Sequence, residues 1–300
     1  MKSRLTTALA VGAIGLTLAA CGGDPTEGEK SANDTITVGS ADFPENEIIA
    51  EIYAQALSAN DVKVDKKLKI GAREVYLPAL ENGEIDLIPE YTGNLLTYVD
   101  KNATATAPDD VVKALDNALP EKLDVLEPSA AEDKDSLNVT SELAEKEGLK
   151  TIGDLKKIDG LRVGANPEFK ERPYGVPGME KIYGITGVEF TAISDSGGPA
   201  TLKALLDGKV DVANIYSTTP SIAANKLVTL EDPENMIAAQ NVIPLINDEK
   251  DTDTVERVLN AVSKELTTQD LLDLNGKNQG DDKVAPAELA KQWLTDKGLI

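Results

Sequence analysis

The sequence predicts an α/β protein built as two related lobes joined by a two-crossing hinge. Apolar runs of strand length alternate with runs at helical spacing, the pattern of parallel sheets covered by helices. The pattern of a segment that begins at Gly83 recurs, without a gap, at Gly208. Helical segments are left over after the second copy, so the chain returns to the lobe in which it began.

The repeat is the organising feature. Gly83-Glu-Ile-Asp-Leu-Ile-Pro-Glu-Tyr-Thr-Gly-Asn94 aligns, at an offset of 125 residues, with Gly208-Lys-Val-Asp-Val-Ala-Asn-Ile-Tyr-Ser217. The same offset pairs Ala79-Leu80 with Ala204-Leu205, and Ile36, Val38 and Gly39 with Leu161, Val163 and Gly164. One ungapped offset across three separated segments is the signature of two structurally related units. It places Tyr91 and Tyr216 at the ends of corresponding strands, where ligands of open α/β lobes sit.

Taken in order, Thr35–Ser40 reads as the first strand. Asp42 and Pro44 open a helix whose apolar stripe (Ile48, Ile49, Ile52, Tyr53, Ala56, Leu57) runs to about Ser58, with Tyr53 expected in the core. Residues 62–70 read as a strand, 73–80 as a helix, 85–88 as a strand and 89–93 as the turn after it. A helix is predicted over 109–119, and an acidic loop over 125–137. In the second lobe a helix starts at Thr151, strands are expected at 161–164, 190–193 and 210 onward, and helices at 177–183 and 199–206. Strands at 227–230 and 243–246 and helices at 254–266, 269–274 and 286–296 complete the chain. The expected division is 35–137 plus 241–300 for lobe one and 138–240 for lobe two.

Composition narrows the function. Of 300 residues 52 are acidic and 30 basic, a formal charge of −22, which argues against nucleic acid or anionic lipid as partners. There is no histidine, so the commonest general base and metal ligand are missing. No phosphate loop, dinucleotide fingerprint or metal-ligand cluster stands out, and neither a cofactor nor a metal is expected. Asp195-Ser-Gly-Gly-Pro199 spells a serine-protease nucleophile peptide, but a nucleophilic serine needs a base beside it. We read it as a turn capped by Asp195 or Ser196 before the helix at 199–206. Binding, rather than an enzyme activity, is the expected role.

Lys2 and Arg4 precede an apolar stretch at residues 7–20 that is short for a membrane span and fits a secretory signal. It ends Leu18-Ala19-Ala20-Cys21, a spelling that resembles the bacterial lipobox, with Cys21 as the lipid anchor. Residues 21–34 then read as a flexible tether. The expected location is extracytoplasmic.

Five stretches carry a family resemblance: Gly39-Ser-x-x-Phe43-x-Glu45, Gly83-Glu-Ile-Asp-x-x-Pro-Glu-Tyr-Thr-Gly93, Lys150-Thr-Ile-x-Asp-Leu155, Glu168-Phe-x-x-Arg172-x-x-Gly175 and Val210-Asp-Val-x-x-x-Tyr-Ser-Thr218. Over about residues 35–298 the chain resembles the substrate-binding proteins of ABC importers for osmoprotectants such as glycine betaine, choline and carnitine. The resemblance implies a two-lobed type II periplasmic-binding-protein fold, a permease and its ATPase as partners, and a monomer. It implies a tyrosine cage around a quaternary ammonium group, matched here by Tyr91 and Tyr216, with Arg172 for the ligand carboxylate and Ser40 and Thr218 as further contacts. Other positions depart from the family. A lysine after the Gly-Ser pair is Ala41, a threonine is Asn94, and two cage tyrosines are replaced by Asp135 and Gln240. A half-polar cage argues for weak betaine binding, for choline, or for a larger betaine such as ergothioneine. A surface sensor on the same fold is the alternative without transport.

Overall fold

The computed structural model describes residues 35–300; the expected signal segment, the tether and Cys21 lie outside the described residues. The first half of the chain supplies β1 (Thr35–Gly39), α1 (Pro44–Ala59), β2 (Lys63–Lys67), α2 (Arg73–Glu81), β3 (Leu87–Tyr91), α3 (Thr92–Val99), α4 (Pro108–Ala118) and β4 (Leu123–Val125). The second sheet draws on β5 (Asp135–Val139), β6 (Arg162–Ala165), β7 (Glu189–Ala192), β8 (Val212–Tyr216) and β9 (Val228–Thr229). Its helices are α5 (Ser141–Glu147), α6 (Val176–Lys181), α7 (Pro199–Leu206) and α8 (Ser221–Ala224). The chain then returns through β10 (Val242–Asn247) to α9 (Asp253–Glu265), α10 (Thr268–Gln279) and α11 (Pro286–Asp296).

The two sheets have strand orders β2-β1-β3-β10-β4 and β7-β6-β8-β5-β9. In each, the first-copy strands are parallel and the strand arriving from the other half (β10 or β5) is antiparallel to its neighbours. On one face of the first sheet α1 packs with α9, α10 and α11 around Ile49, Ile52, Leu57, Leu259, Leu271 and Leu294, and Tyr53 lies in this core. The other face packs α2, α3 and α4 through Leu77, Leu80, Leu95, Leu96, Val111 and Leu115. The second sheet is covered in the same two-sided way.

The sequence repeat has a physical cause in each lobe. Asp86 accepts from the Thr37 N–H at 2.8 Å, and Asp211 accepts from the Arg162 N–H at 3.0 Å; both pairs are related by the same offset. A Cβ on Gly39 would meet Ile85 at 2.7 Å, and one on Gly164 would meet Val210 at 3.2 Å, so each glycine lets its strand seat against the next. Gly83 and Gly208 end α2 and α7 with φ of 71° and 66°, the left-handed turn that glycine adopts without a Cβ clash. Val38 pairs with Leu87, and Val163 with Val212, again at the repeat offset.

Two segments, 126–134 and 230–241, run between the sheets, and they bond to each other. Asp133 N–H donates to the Gln240 carbonyl and Val242 N–H to the Ala131 carbonyl, so the hinge is a short antiparallel ribbon. The first crossing therefore ends before Asp135, not at 137: Asp135 already pairs with Tyr216 in the second sheet. Residues 89–93 are not a turn. Pro89 lies opposite Pro244 within β3, where it need not donate to the ladder, and α3 begins directly after Tyr91. The segment from Thr151 is a capped 3-10 turn rather than an α-helix. The sequence reading also passed over α3 and α5. Asp195 caps α7 as expected, accepting from the N–H groups of Ala200 and Thr201.

Candidate functional site

A cavity of about 340 Å³ lies between the lobes. Tyr91 and Tyr216, the final residues of β3 and β8, both line it, as do Asn94 and Arg172. Between the two tyrosines stands Phe43, whose ring centroid is 6.0 Å from that of Tyr91 and 5.3 Å from that of Tyr216. Phe43 precedes Pro44 at the start of α1, so the sequence reading absorbed it as a helix start and missed its ring. Ala41 reaches the same wall, leaving a small apolar contact where the family's lysine would put a charge.

Behind the aromatic rings lies a buried acidic cluster. Glu45 accepts from the Tyr91 hydroxyl at 2.8 Å, from Thr218 Oγ1 at 2.5 Å and from Asn275 Nδ2 at 2.6 Å. Asp133, on the hinge, accepts from the Thr218 N–H and from Ser217 Oγ, each at 3.1 Å, and also lines the cavity. Burial pushes both carboxyls above their ordinary range, and for Asp133 the neighbouring Glu45 adds to it. Burial likewise raises the Tyr91 phenol well above normal, with the Glu45 carboxylate adding to it. A cation arriving in the cavity meets aromatic faces and a buried carboxylate together.

The opposite wall is basic but compensated. Arg73 gives Glu90 two hydrogen bonds, at 2.7 and 2.8 Å, and the Tyr76 hydroxyl donates to the same carboxylate at 2.7 Å. Burial alone would lower the Arg73 pKa, but Glu90 holds it well above its usual value. Arg172 lies in the loop after β6 and pairs across the cleft with Glu74 at 3.2 Å. Gly175 permits that loop to fold, since a Cβ there would lie 1.8 Å from the Phe169 carbonyl oxygen. Neither Arg73 nor Glu90 was a sequence candidate, because two charges 17 residues apart look like surface residues until they are seen buried.

The remaining sequence candidates do not line the cavity. Asp135 accepts from Asn94 Nδ2 at 2.8 Å, and Gln240 both donates to Asn94 Oδ1 at 2.7 Å and accepts from its backbone N–H at 3.0 Å. These two residues fix the amide of Asn94 rather than forming wall themselves. Ser40 is fully buried and accepts from the Lys69 N–H at 2.8 Å. Thr218 belongs to the acidic cluster. Among the described residues no group of three or more histidine, cysteine, aspartate or glutamate side chains could hold a metal ion, and no helix is long and apolar enough to cross a membrane.

Two sheets joined by a double crossing, with a half-open cavity between them, define a two-lobed solute-binding protein. Residues 34–296 match the family described as the substrate binding domain of the ABC-type glycine betaine transport system, and the chain belongs to that family. It is thus a substrate-binding protein of ABC-type import, a class that works on the extracytoplasmic side. It is 30% identical over 230 residues to the glycine betaine-binding protein YehZ of Escherichia coli, covering 72% of this chain and 75% of YehZ. It is 24% identical over 272 residues to the carnitine transport binding protein OpuCC of Listeria monocytogenes, covering 88% of this chain and 87% of OpuCC. In structure it resembles a glycine betaine/carnitine/choline ABC transporter protein, with a TM-score of 0.69 at 23% identity, covering 88% of this chain and 99% of the other. A choline-binding protein in complex with choline gives a TM-score of 0.67 at 18% identity, covering 88% of this chain and 89% of the other. These two structural likenesses bear on the fold.

Proposed function

We propose that this protein captures a small quaternary-ammonium solute of the betaine type between its lobes and delivers it to an ABC permease and its ATPase. The observation that carries this reading is Phe43 set between Tyr91 and Tyr216, with the Asp133 carboxylate on the same wall. A quaternary ammonium cannot donate hydrogen bonds. Aromatic faces are its natural partners, at roughly 0.5–2 kcal/mol per contact. Arg172 and Asn94 take the polar end, with Asp135 and Gln240 orienting Asn94. Contacts come from both lobes, so ligand favours the closed arrangement. Cys21 serves as a lipid anchor, and the protein acts as a monomer.

Isothermal titration of the purified protein against glycine betaine, choline and carnitine tests the reading. Saturable heat from at least one of them, lost in both Tyr91→Ala and Tyr216→Ala, is expected. Silence from all three, or heat indifferent to both substitutions, sinks the proposal.

A further inference from the structure

The aromatic chamber is not the whole of the cleft. A second cavity of about 560 Å³ adjoins it. Arg73, Asn94, Glu168 and Arg172 line both, so the two cavities meet along these four residues. The second chamber's own walls include Thr97 and Tyr98 from α3, and Pro173 and Tyr174 from the Arg172 loop. Lys101 stands exposed at its rim. A trimethylammonium head with a short acetate fits the first chamber alone and leaves the larger one unused.

We infer that the cleft is built for an elongated quaternary-ammonium zwitterion, whose head lies among Phe43, Tyr91 and Tyr216 and whose apolar or flat tail passes Arg172 into the chamber walled by Tyr98 and Tyr174. This rests on the quaternary-ammonium reading and adds the ligand's length and tail chemistry to it. Three features support the tail. Glu74 lines the second chamber and not the first, and it draws the Arg172 guanidinium to that side at 3.2 Å. A ligand carboxylate midway along the molecule would take over this charge where the two cavities meet. The Tyr174 hydroxyl is buried without a well-formed hydrogen bond, beside Arg172, whose guanidinium carbon lies 5.9 Å from the Tyr174 ring centroid. The oxygen itself is out of contact with solvent, so Tyr174 presents no hydroxyl to the second chamber, which suits an apolar tail. The second chamber, at about 560 Å³ against about 340 Å³ for the first, adds room beyond what a trimethylated amino acid needs.

The test is a titration series of glycine betaine, acetylcarnitine and hexanoylcarnitine into the protein. Each methylene buried adds about fourfold in affinity, so the gain from acetyl to hexanoyl should exceed tenfold. Lys101→Trp, which fills the chamber from its exposed rim, and Tyr98→Ala, which removes a wall, should each erase that gain. Lys101→Trp should leave glycine betaine within about twofold. The inference is overturned if affinity is flat or falls with tail length, or if Lys101→Trp weakens glycine betaine and hexanoylcarnitine alike. Binding of glycine betaine without hexanoylcarnitine would overturn the elongated ligand and leave the cation cage standing. If no member of the series binds, or if all bind equally in Tyr91→Ala, both fail together.

Discussion

Arg172, on the second lobe, holds its guanidinium 3.2 Å from the carboxylate of Glu74, in the first turn of α2 on the first lobe. The side chain proposed to receive the ligand carboxylate thus already has an anion, and a ligand must compete with it. The pair is part-exposed, at 19% for Arg172 and 43% for Glu74, so the competition costs little. Glu74→Gln should tighten glycine betaine up to about fivefold, the worth of a half-exposed ion pair. Choline, without a carboxylate, should be unchanged. Parallel titrations of the two ligands read the difference.

The Arg73–Glu90 pair is a different case. Arg73 is 6% exposed and Glu90 fully buried, with Tyr76 and the Tyr91 N–H also bonded to Glu90. Removing one partner leaves an uncompensated charge in the interior, at about 3–5 kcal/mol. Glu90→Ala should therefore lower the denaturation midpoint severely. The double variant Arg73→Met with Glu90→Leu should recover most of the loss, and chemical denaturation of the three proteins checks it.

Glu45 and Asp133 link the fold and the ligand to pH in opposite senses. Both have folded pKa values raised above 4.5 and 3.8 respectively, mainly by burial. A raised pKa means the folded state holds the proton more tightly than the unfolded chain. The stabilisation is then full below the unfolded values and is lost as pH rises through the folded ones. Thermal unfolding should show the wild type gaining on Asp133→Asn as pH falls from 7 towards about 4.5. A cationic ligand favours the ionised pair, so choline should bind more weakly over the same descent, and Asp133→Asn should flatten that dependence.

Asp86 and Asp211 should behave as a matched pair. Each satisfies a backbone N–H of the neighbouring strand, and Asp86→Ala or Asp211→Ala leaves that donor unmet, at about 1–3 kcal/mol. Asp211 also pairs with Arg162, but that guanidinium is 39% exposed and adds less than about 1 kcal/mol. Equilibrium unfolding should place the two variants within about 1 kcal/mol of each other.

These residues also show what a sequence can disclose. Asp86/Asp211, Gly39/Gly164 and Tyr91/Tyr216 were legible because a repeat prints the same local physics twice, and the two tyrosines do reach one cavity. Motif position did not tell which way a side chain points. Ser40, Asp135, Gln240 and Thr218 hold the wall from behind, and nothing in their spacing separates that from lining it. Phe43 was hidden by the helix signal of its neighbour Pro44. The buried charges Arg73, Glu90, Glu45 and Asp133 were hidden among the acidic and basic residues of a highly charged chain, since burial is a property of the assembled lobes.

The most direct measurement is a crystal structure of the protein grown with glycine betaine. The account predicts the trimethylammonium nitrogen within about 6 Å of the ring centroids of Phe43, Tyr91 and Tyr216, with the carboxylate towards Arg172. A ligand lying with its carboxylate among those three rings, or bound away from them, would contradict it.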